Sequence, residues 1–199
     1  AKIIDGKFDV LFVDTEKKSQ IDDKKIVNIE RTIKKNIKRT YIRFFKANDL
    51  TVNAAEDFLA FFFKNDIRNL AAKKILIIGI GNIGFKLSLR LVERGCSVHL
   101  YKRDKKKNDY FCRVINDIKP NGTLASAIPI KYLQDNLFKF DVIICAADKQ
   151  NVLKISKKTK LKTKILFIDI GKGMFDSISQ KVLRHRNIYV NRLDVTSSL

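Results

Sequence analysis

Residues Lys73–Arg103 read KKILIIGIGNIGFKLSLRLVERGCSVHLYKR, the clearest structural pattern in this chain of 199 residues. The apolar run Ile75–Ile78 has no polar interruption, which is typical of a strand buried on both faces of a parallel sheet. It continues directly into Gly79–Gly84, a complete G-x-G-x-x-G sequence. A helical pattern follows and ends at Gly95, where a C-cap glycine belongs, and Ser97–Tyr101 is predicted to be a second strand. This order of strand, glycine turn, helix and strand predicts a dinucleotide-binding site rather than a bare structural turn.

Each glycine of the turn has a separate physical role in such a site. Gly79 allows the tight turn, Gly81 leaves room for a pyrophosphate, and Gly84 lets the helix pack against the strand. Asn82 and Ile83 begin the helix, whose unpaired N–H groups and positive dipole end attract phosphates. We therefore predict cofactor contacts at all five of these residues.

The end of the second strand carries the information on the type of cofactor. An NAD site normally has Asp or Glu at this point, but the strand here is followed by Lys102, Arg103 and Asp104. The planar guanidinium of Arg103 suits the 2′-phosphate of NADP(H), with Lys102 as a helper. We therefore predict NADP, and NAD as the second choice, with Asp104 holding the ribose in that case. The simpler alternative is that these are solvated charges on a very basic protein.

Composition limits the classes of function. The formal net charge is +20 and the hydrophobic content is 45%, which is ordinary for a globular protein. A positive field attracts anionic ligands, but the sequence has neither a zinc-ligand set nor the motifs of an RNA-binding domain. We therefore expect a small-molecule substrate and no nucleic-acid partner, no metal and no membrane span, and we leave a homodimer open.

The cysteines and the chain ends suggest a location and a larger protein. Cys96, Cys112 and Cys145 lie far apart without metal spacing, so we expect reduced thiols in a cytoplasmic protein. The sequence begins at Ala1 in mid-structure, and Thr196 near its end could cap a further helix. We therefore expect a fragment of a longer protein.

Residues 1–48 are predicted to be the remnant of a neighbouring substrate or catalytic domain. Phe8–Val13 and Tyr41–Phe45 read as strands. Asp22 and Asp23 are predicted to open the helix between them, in which Ile26 and further isoleucines recur at helical spacing. One strand–helix–strand unit is too small to bury a core alone.

Residues 49–70 are predicted to be a linking helix, with Asn53 and Glu56 as a capping box. Residues 71–199 are predicted to form an α/β, doubly wound parallel sheet (Rossmann) in the order 3-2-1-4-5-6. The remaining elements expected there are a helix over Lys105–Lys119, strands near Leu124–Ala127, Asp141–Ala147, Lys164–Ile170 and Asn187–Val190, and helices near Lys131–Phe138, Asn151–Lys157 and Met174–Arg184.

Over roughly residues 49–199 the chain resembles the NAD(P)-binding domain of the shikimate dehydrogenase and amino-acid dehydrogenase superfamily. The resemblance is carried by Gly79–Gly84, Tyr101–Asp104 and Asp141–Ala147, which are similar to that family's glycine loop, its Asn-Arg-Thr phosphate clasp and its Asp-hydrophobic-Ile-Asn-Ala strand. Methylenetetrahydrofolate dehydrogenases and glutamyl-tRNA reductases look similar. The resemblance implies Ala146 and Ala147 as further cofactor contacts. It also implies hydride transfer between NADP(H) and a small carbonyl, alcohol or amino-acid-like substrate held against the other domain.

The sequence departs from the family pattern at several positions. Lys102 stands where the clasp has Asn, and Asp104 where it has Thr. Asn48 and Asp49 form a shorter version of the family's Asn-Thr-Asp segment. The catalytic lysine of shikimate dehydrogenases would lie in a part of the first domain that precedes this sequence. A glycine loop identifies a cofactor fold but does not name a substrate.

Hydride transfer also needs a group that moves or stabilises a proton. Asp49 and Lys172 are the catalytic candidates, the first before the linking helix and the second between two glycines after a strand. Asp169 ends the same strand. His99 reads as a core or sheet-edge residue, and His185 as part of an exposed turn.

Three functions remain open. The first is an NADP-dependent oxidoreductase. The second is a non-catalytic, nucleotide-sensing regulatory module that gates a partner. The third is a methyltransferase, although Lys102 and Arg103 replace the acid that S-adenosylmethionine sites usually have at the end of the second strand.

Overall fold

The computed structural model describes residues 3–16, 19–22, 25–134 and 137–195 of the chain. It divides into two compact units, Ala1–Leu50 and Thr51–Leu199. Within the described ranges, the helices are too short or too polar for any of them to cross a membrane.

The first unit contains a parallel strand pair and a small antiparallel hairpin. Its elements are β1 (Val10–Asp14), β2 (Ser19–Asp22), β3 (Lys25–Val27), α1 (Ile29–Asn36) and β4 (Tyr41–Phe45). Strands β1 and β4 pair in parallel, and β2 pairs with β3 antiparallel. The two strands predicted in this region are confirmed.

The predicted start of the first helix is wrong. Asp22 lies at the end of β2, and Asp23 lies outside the described residues. Helix α1 begins later, because the Asn28 side chain caps it by accepting a hydrogen bond from the Arg31 N–H at 2.9 Å. Ile26 lies in β3, since a β-branched residue suits a strand as well as a helical stripe.

Helix α2 (Ala47–Phe62) begins in the first unit and continues into the second. The further elements of the second unit are β5 (Lys74–Ile78), α3 (Asn82–Glu93), β6 (Ser97–Tyr101), α4 (Lys105–Ile118), β7 (Ala127–Pro129), β8 (Val142–Cys145), β9 (Leu166–Asp169), α5 (Ser177–His185) and β10 (Val190–Arg192), with short 3-10 helices at Ile67–Leu70 and Leu137–Lys139. Six parallel strands form one sheet in the order β10-β9-β8-β5-β6-β7. Counted from β5, this is the order 3-2-1-4-5-6, so the predicted fold is confirmed.

Strand β5 lies at the centre of the sheet and is buried on both faces. Ile75 and Ile77 pack in a core that includes residues of α2, α3 and α4. Leu76 and Ile78 pack in a second core that includes α5. All four are at most 2% exposed. The order of strands reverses beside β5, which places the glycine turn at the point where such sheets bind ligands.

The predicted capping box in α2 is wrong, because the helix starts six residues before Asn53. Asn53 and Glu56 face α3 instead. The Arg90 guanidinium donates to the Asn53 side-chain oxygen at 2.5 Å and to the Glu56 carboxylate at 2.7 Å. Glu56 is buried and also pairs with Arg94 at 3.4 Å, so these polar groups fasten α2 to α3.

The prediction of a helix over Asn151–Lys157 is wrong. All seven residues are described, and they form no helix. Leu153 instead forms a parallel bridge to Phe175. The Ile155 N–H donates to the Ser179 hydroxyl at 2.9 Å. Both residues are buried, so tertiary pairing has overridden the local helical pattern.

Other element boundaries shift by a few residues. The strand expected near Leu124–Ala127 is β7, and the last strand begins only at Val190. Helix α5 starts at Ser177 because Asp176 caps it, accepting from the Ser179 N–H at 2.7 Å. Of the helix expected near Lys131–Phe138, only the 3-10 turn at residues 137–139 is observed, and residues 135 and 136 lie outside the described ranges.

Candidate functional site

The glycine turn between β5 and α3 contacts the loop after β8 closely. Gly79 has a φ of +94°, a conformation that side-chain-bearing residues rarely adopt. A Cβ at Gly79 would lie 2.7 Å from the Cα and N of Ala147. The Gly79 N–H donates to the Tyr101 carbonyl at 3.0 Å. The turn is therefore held between the ends of β6 and β8.

Gly84 lets α3 approach the same turn. A Cβ there would lie 2.0 Å from the Gly79 carbonyl oxygen, which belongs to backbone that cannot move aside. The close approach that the sequence predicts for the third glycine is present.

Gly81 differs from both of these glycines. Apart from its own chain neighbours, no heavy atom of the described residues lies within 4 Å of the position that its Cβ would occupy. It is the N-cap of α3, and it supplies no side-chain hydrogen bond to the first turn of this described helix. Asn82 is exposed and Ile83 half-buried at the same helix end. The start of α3 therefore offers backbone N–H groups beside open space, which is a favourable place for an anion.

A cavity of about 600 Å³ lies at the carboxyl ends of β5, β6 and β8. Its walls come from the glycine turn, the end of β6 and the loop after β8. The lining residues are Ile78, Gly79, Ile80, Gly81, Tyr101, Lys102, Arg103, Asp104, Leu133, Ala146, Ala147, Asp148, Lys149, Gln150, Asn151 and Val152. Seven of the predicted cofactor contacts are in this set, and the other three begin α3 next to it.

The two basic residues after β6 have different environments. The Arg103 side chain is exposed, and it makes no hydrogen bond or ion pair to a described residue. Lys102 is half-buried, donates from its Nζ to the Ile80 carbonyl at 3.3 Å, and lies 5.7 Å from the centre of the Phe111 ring. Arg103 is therefore the cation that remains available to a ligand.

Asp104 is the N-cap of α4. Its Oδ1 accepts from the Lys107 N–H at 3.0 Å, and its Oδ2 lies 3.8 Å from the Lys107 ammonium. One carboxylate oxygen is thus already used to hold the start of the helix.

Lys172 forms an ion pair with Asp148, which lines the cavity. The Lys172 ammonium lies 2.7 Å from the Asp148 carboxylate, and its hydrogen bond lowers the pKa of that carboxyl. The loop that carries Lys172 is fixed to the loop after β8, since a Cβ at Gly171 would lie 2.3 Å from the Ala147 carbonyl oxygen.

The other acid–base candidates lie elsewhere. Asp169 is buried and accepts from the N–H groups of Gly171 and Met174, at 3.0 and 3.1 Å, so it holds its own loop together. Asp49 lies in the first turn of α2, in the first unit, where an acid suits the helix dipole. His185 is exposed at the end of α5.

His99 packs its ring at 5.1 Å from that of Phe140, as expected for a core or sheet-edge residue, and burial lowers its pKa. The three cysteines are free and buried. Burial raises the pKa of Cys145 to about 11 and those of Cys96 and Cys112 to about 12, so all three remain protonated thiols at neutral pH.

Sequence reasoning missed the loop that follows β8. Residues 148–152, together with Ile78, Ile80, Tyr101 and Leu133, line the cavity but were not predicted to do so. The available signal was the position of this loop, because it follows the buried strand that lies next to β5 on the side where the strand order reverses.

A six-stranded parallel sheet in this order, with an open glycine turn at the reversal point, defines an NAD(P)-binding domain of the Rossmann type. The chain belongs to the shikimate / quinate 5-dehydrogenase family, whose model matches residues 62–196.

Individual relatives are distant. Glutamyl-tRNA reductase of Thermosipho melanesiensis is 26% identical over 121 residues, which are 61% of this chain and 30% of that protein. The crystal structure of dipicolinate synthase from Bacillus halodurans matches with a TM-score of 0.52 at 15% identity, covering 94% of this chain and 57% of that one.

A shikimate dehydrogenase solved in complex with NADP+ matches with a TM-score of 0.54 at 18% identity, covering 76% of this chain and 51% of that one. The chain thus spans less than two thirds of each of these proteins. The solved structures share its fold, and the family match supports an oxidoreductase domain that binds NAD(P).

Proposed function

We propose that this chain binds NADP(H) across the carboxyl edge of the six-stranded sheet. We further propose that it serves hydride transfer to or from a small carbonyl, alcohol or amino-acid-like substrate. The observation that carries the proposal is the open Gly81 turn beside an exposed, unpaired Arg103 within the described residues. A cytoplasmic location and a homodimer remain predictions from the sequence.

The residues present fit the pyrophosphate of such a cofactor. Gly81 leaves its surroundings open, while Gly79 and Gly84 bring strand, turn and helix into direct contact. The N–H groups of Gly81, Asn82 and Ile83 would hold the phosphate oxygens, assisted by the positive end of the α3 dipole.

The adenosine end would lie beside the carboxyl end of β6. Arg103 would pair two of its N–H groups with the oxygens of a 2′-phosphate. The rival NAD site needs Asp104 to accept from ribose hydroxyls. Its Oδ1 already caps α4 and its Oδ2 faces Lys107, which favours NADP.

The nicotinamide end would extend along Ala146 and Ala147 toward the paired Asp148 and Lys172. The cofactor would supply or accept the hydride. The chain's part is to orient the ring and to stabilise the proton or charge on the substrate. Lys172 is our candidate for that role because its ammonium reaches the rim of the cavity. Asp49, in the first unit, remains a second catalytic hypothesis.

A non-catalytic, nucleotide-sensing module is the alternative, and one observation favours it. Among the described residues that line the cavity, each carboxylate is already engaged, Asp104 in a helix cap and Asp148 in an ion pair. Neither histidine lines the cavity. This reading predicts that the cofactor binds without any turnover in the full-length protein.

Calorimetric titrations with NADPH, NADH and S-adenosylmethionine would separate the hypotheses. We expect NADPH to bind more tightly than NADH, and S-adenosylmethionine not to bind. The proposal would be abandoned if neither nicotinamide cofactor bound at millimolar concentration.

The variant Arg103→Ala tests the assignment of NADP. Losing a charge-assisted pair costs about 1.5–3 kcal/mol, so NADPH affinity should fall about tenfold to a hundredfold while NADH affinity stays within about twofold. Lys106→Ala is the matched control, since it removes one exposed charge from the same surface. Equal losses for both cofactors would remove Arg103 from the 2′-phosphate.

A further inference from the structure

Lys102 and Arg103 are adjacent in sequence, yet only one of them is free for a ligand. The Lys102 ammonium donates to the Ile80 carbonyl at 3.3 Å, and it lies over the Phe111 ring of α4. Arg103 makes no such contact within the described residues. Both residues follow the end of β6, where the chain bends before α4.

The carbonyl that Lys102 contacts belongs to the glycine turn itself. Ile80 and Gly81 share one peptide unit, and in a trans peptide the C=O and N–H groups point in opposite directions. Holding the Ile80 oxygen toward Lys102 therefore directs the Gly81 N–H away from it. A cation on the oxygen also polarises the peptide and makes its N–H a stronger donor.

The Ile80 side chain is buried in the first core, but the Ile80–Gly81 peptide itself has few hydrogen bonds. On one side of it the Gly79 N–H donates to Tyr101, and on the other Gly81 accepts from Phe85 through the next peptide. Neither bond involves the Ile80 oxygen or the Gly81 N–H. Among the described residues, the only hydrogen bond to this peptide unit comes from Lys102.

We propose that Lys102 is a positioning residue of the glycine turn. It holds the Ile80–Gly81 peptide so that the Gly81 N–H is oriented toward a pyrophosphate, the part that NAD and NADP have in common. Arg103 alone then distinguishes the two cofactors. This inference rests on the proposed function, and it replaces the helper role at the 2′-phosphate that the sequence suggested for Lys102.

Cofactor titrations of Lys102→Met give the first test, because methionine keeps an apolar side chain over Phe111 and loses the donor. One hydrogen bond of this kind corresponds to about a three- to tenfold change in affinity, and we expect the same factor for NADPH and NADH. Lys106→Met should change neither affinity. A loss confined to NADPH, or no loss at all, would overturn the proposal.

Amide hydrogen exchange of residues 79–84 in the protein without cofactor gives the second test. Exchange should be faster in Lys102→Met than in the wild type, unchanged in Lys106→Met, and restored in Lys102→Arg. Unaltered exchange in Lys102→Met would show that the side chain does not hold the turn. If the wild type bound no nicotinamide cofactor, the proposed function would fail, while the exchange rates would still report on the contact.

Discussion

The six-stranded sheet has a paired charge at its amino edge and an unpaired one, within the described residues, at its carboxyl edge. At the amino edge, Asp141 accepts from the Lys162 ammonium at 2.6 Å and from the Lys74 N–H at 2.8 Å. At the carboxyl edge, Arg103 is exposed without a partner among the described residues, and Gly81 faces open space. Asp141 is paired where the strands begin, and Arg103 is available to a ligand where the strands end.

The difference shows how one sheet separates stability from binding. At the amino edge a side chain binds the backbone. The Asp141 carboxylate, directly before β8, accepts from the first residue of β5 and from Lys162. Burial raises the pKa of Asp141, but the hydrogen bonds from Lys162 and Lys74 and the nearby positive charges together lower it by more. The net shift of the pKa is downward. At the carboxyl edge glycines replace such side chains, and the backbone itself becomes the binding surface.

Gly84→Ala should have the largest effect of the changes at either edge. Its Cβ would lie 2.0 Å from the Gly79 carbonyl oxygen, so α3 or the turn must move. Overpacking of this kind costs about 1–3 kcal/mol, which for a chain of this size lowers the melting temperature by about 2–12 °C. Calorimetry measures the change, and an unaltered melting temperature would contradict the close helix–turn packing.

Gly81→Ala sharpens the comparison because the same methyl group would meet no atom within 4 Å in the described structure other than those of its chain neighbours. The melting temperature should stay within about 2 °C of the wild type, because no packing is disturbed. The methyl group would occupy the space assigned to the pyrophosphate, so NADPH affinity should fall about tenfold or more. Wild-type affinity in this variant would place the phosphates elsewhere.

Asp141→Asn should have the smallest effect and should act only on stability. The ion pair to Lys162 is partly exposed, so its loss should cost about 0.5–1 kcal/mol and leave NADPH affinity unchanged. Because the folded pKa of Asp141 lies below its ordinary value of 3.8, its contribution is present above that value and is lost as the pH falls through the folded pKa.

Denaturant unfolding of both proteins between about pH 6 and pH 3 tests this prediction. The stability difference between the wild type and Asp141→Asn should be largest at the upper end and should shrink toward the acid end. A difference that grew with acid would show that the carboxylate is not stabilised by its partners. A change in cofactor affinity would show that the two edges are coupled.

The sheet and its glycine turn could be predicted from the sequence because their signals are local. Ile75–Ile78 is uniformly apolar, the glycine spacing is complete, and the carboxyl ends of parallel strands share one edge. Strand order followed from the general rules for this fold once the alternation of elements was recognised.

The parts that could not be predicted depend on contacts between distant residues. Asn53 has the spacing of a helix cap, yet it binds Arg90, which is 37 positions away. Residues 151–157 have a helical pattern, but Leu153 pairs with Phe175 and the segment forms no helix. The contact of Lys102 with Ile80 likewise requires the folded turn, so the sequence showed a cation but not its use.

Hydrogen exchange with and without NADPH tests most directly the claim that the carboxyl edge is the binding edge. Saturating NADPH should slow exchange at residues 79–84 and 101–104, and leave residues 73–74 and 162–165 at the amino edge unchanged. Protection confined to the amino edge, or absent from both edges despite measurable binding, would contradict the account.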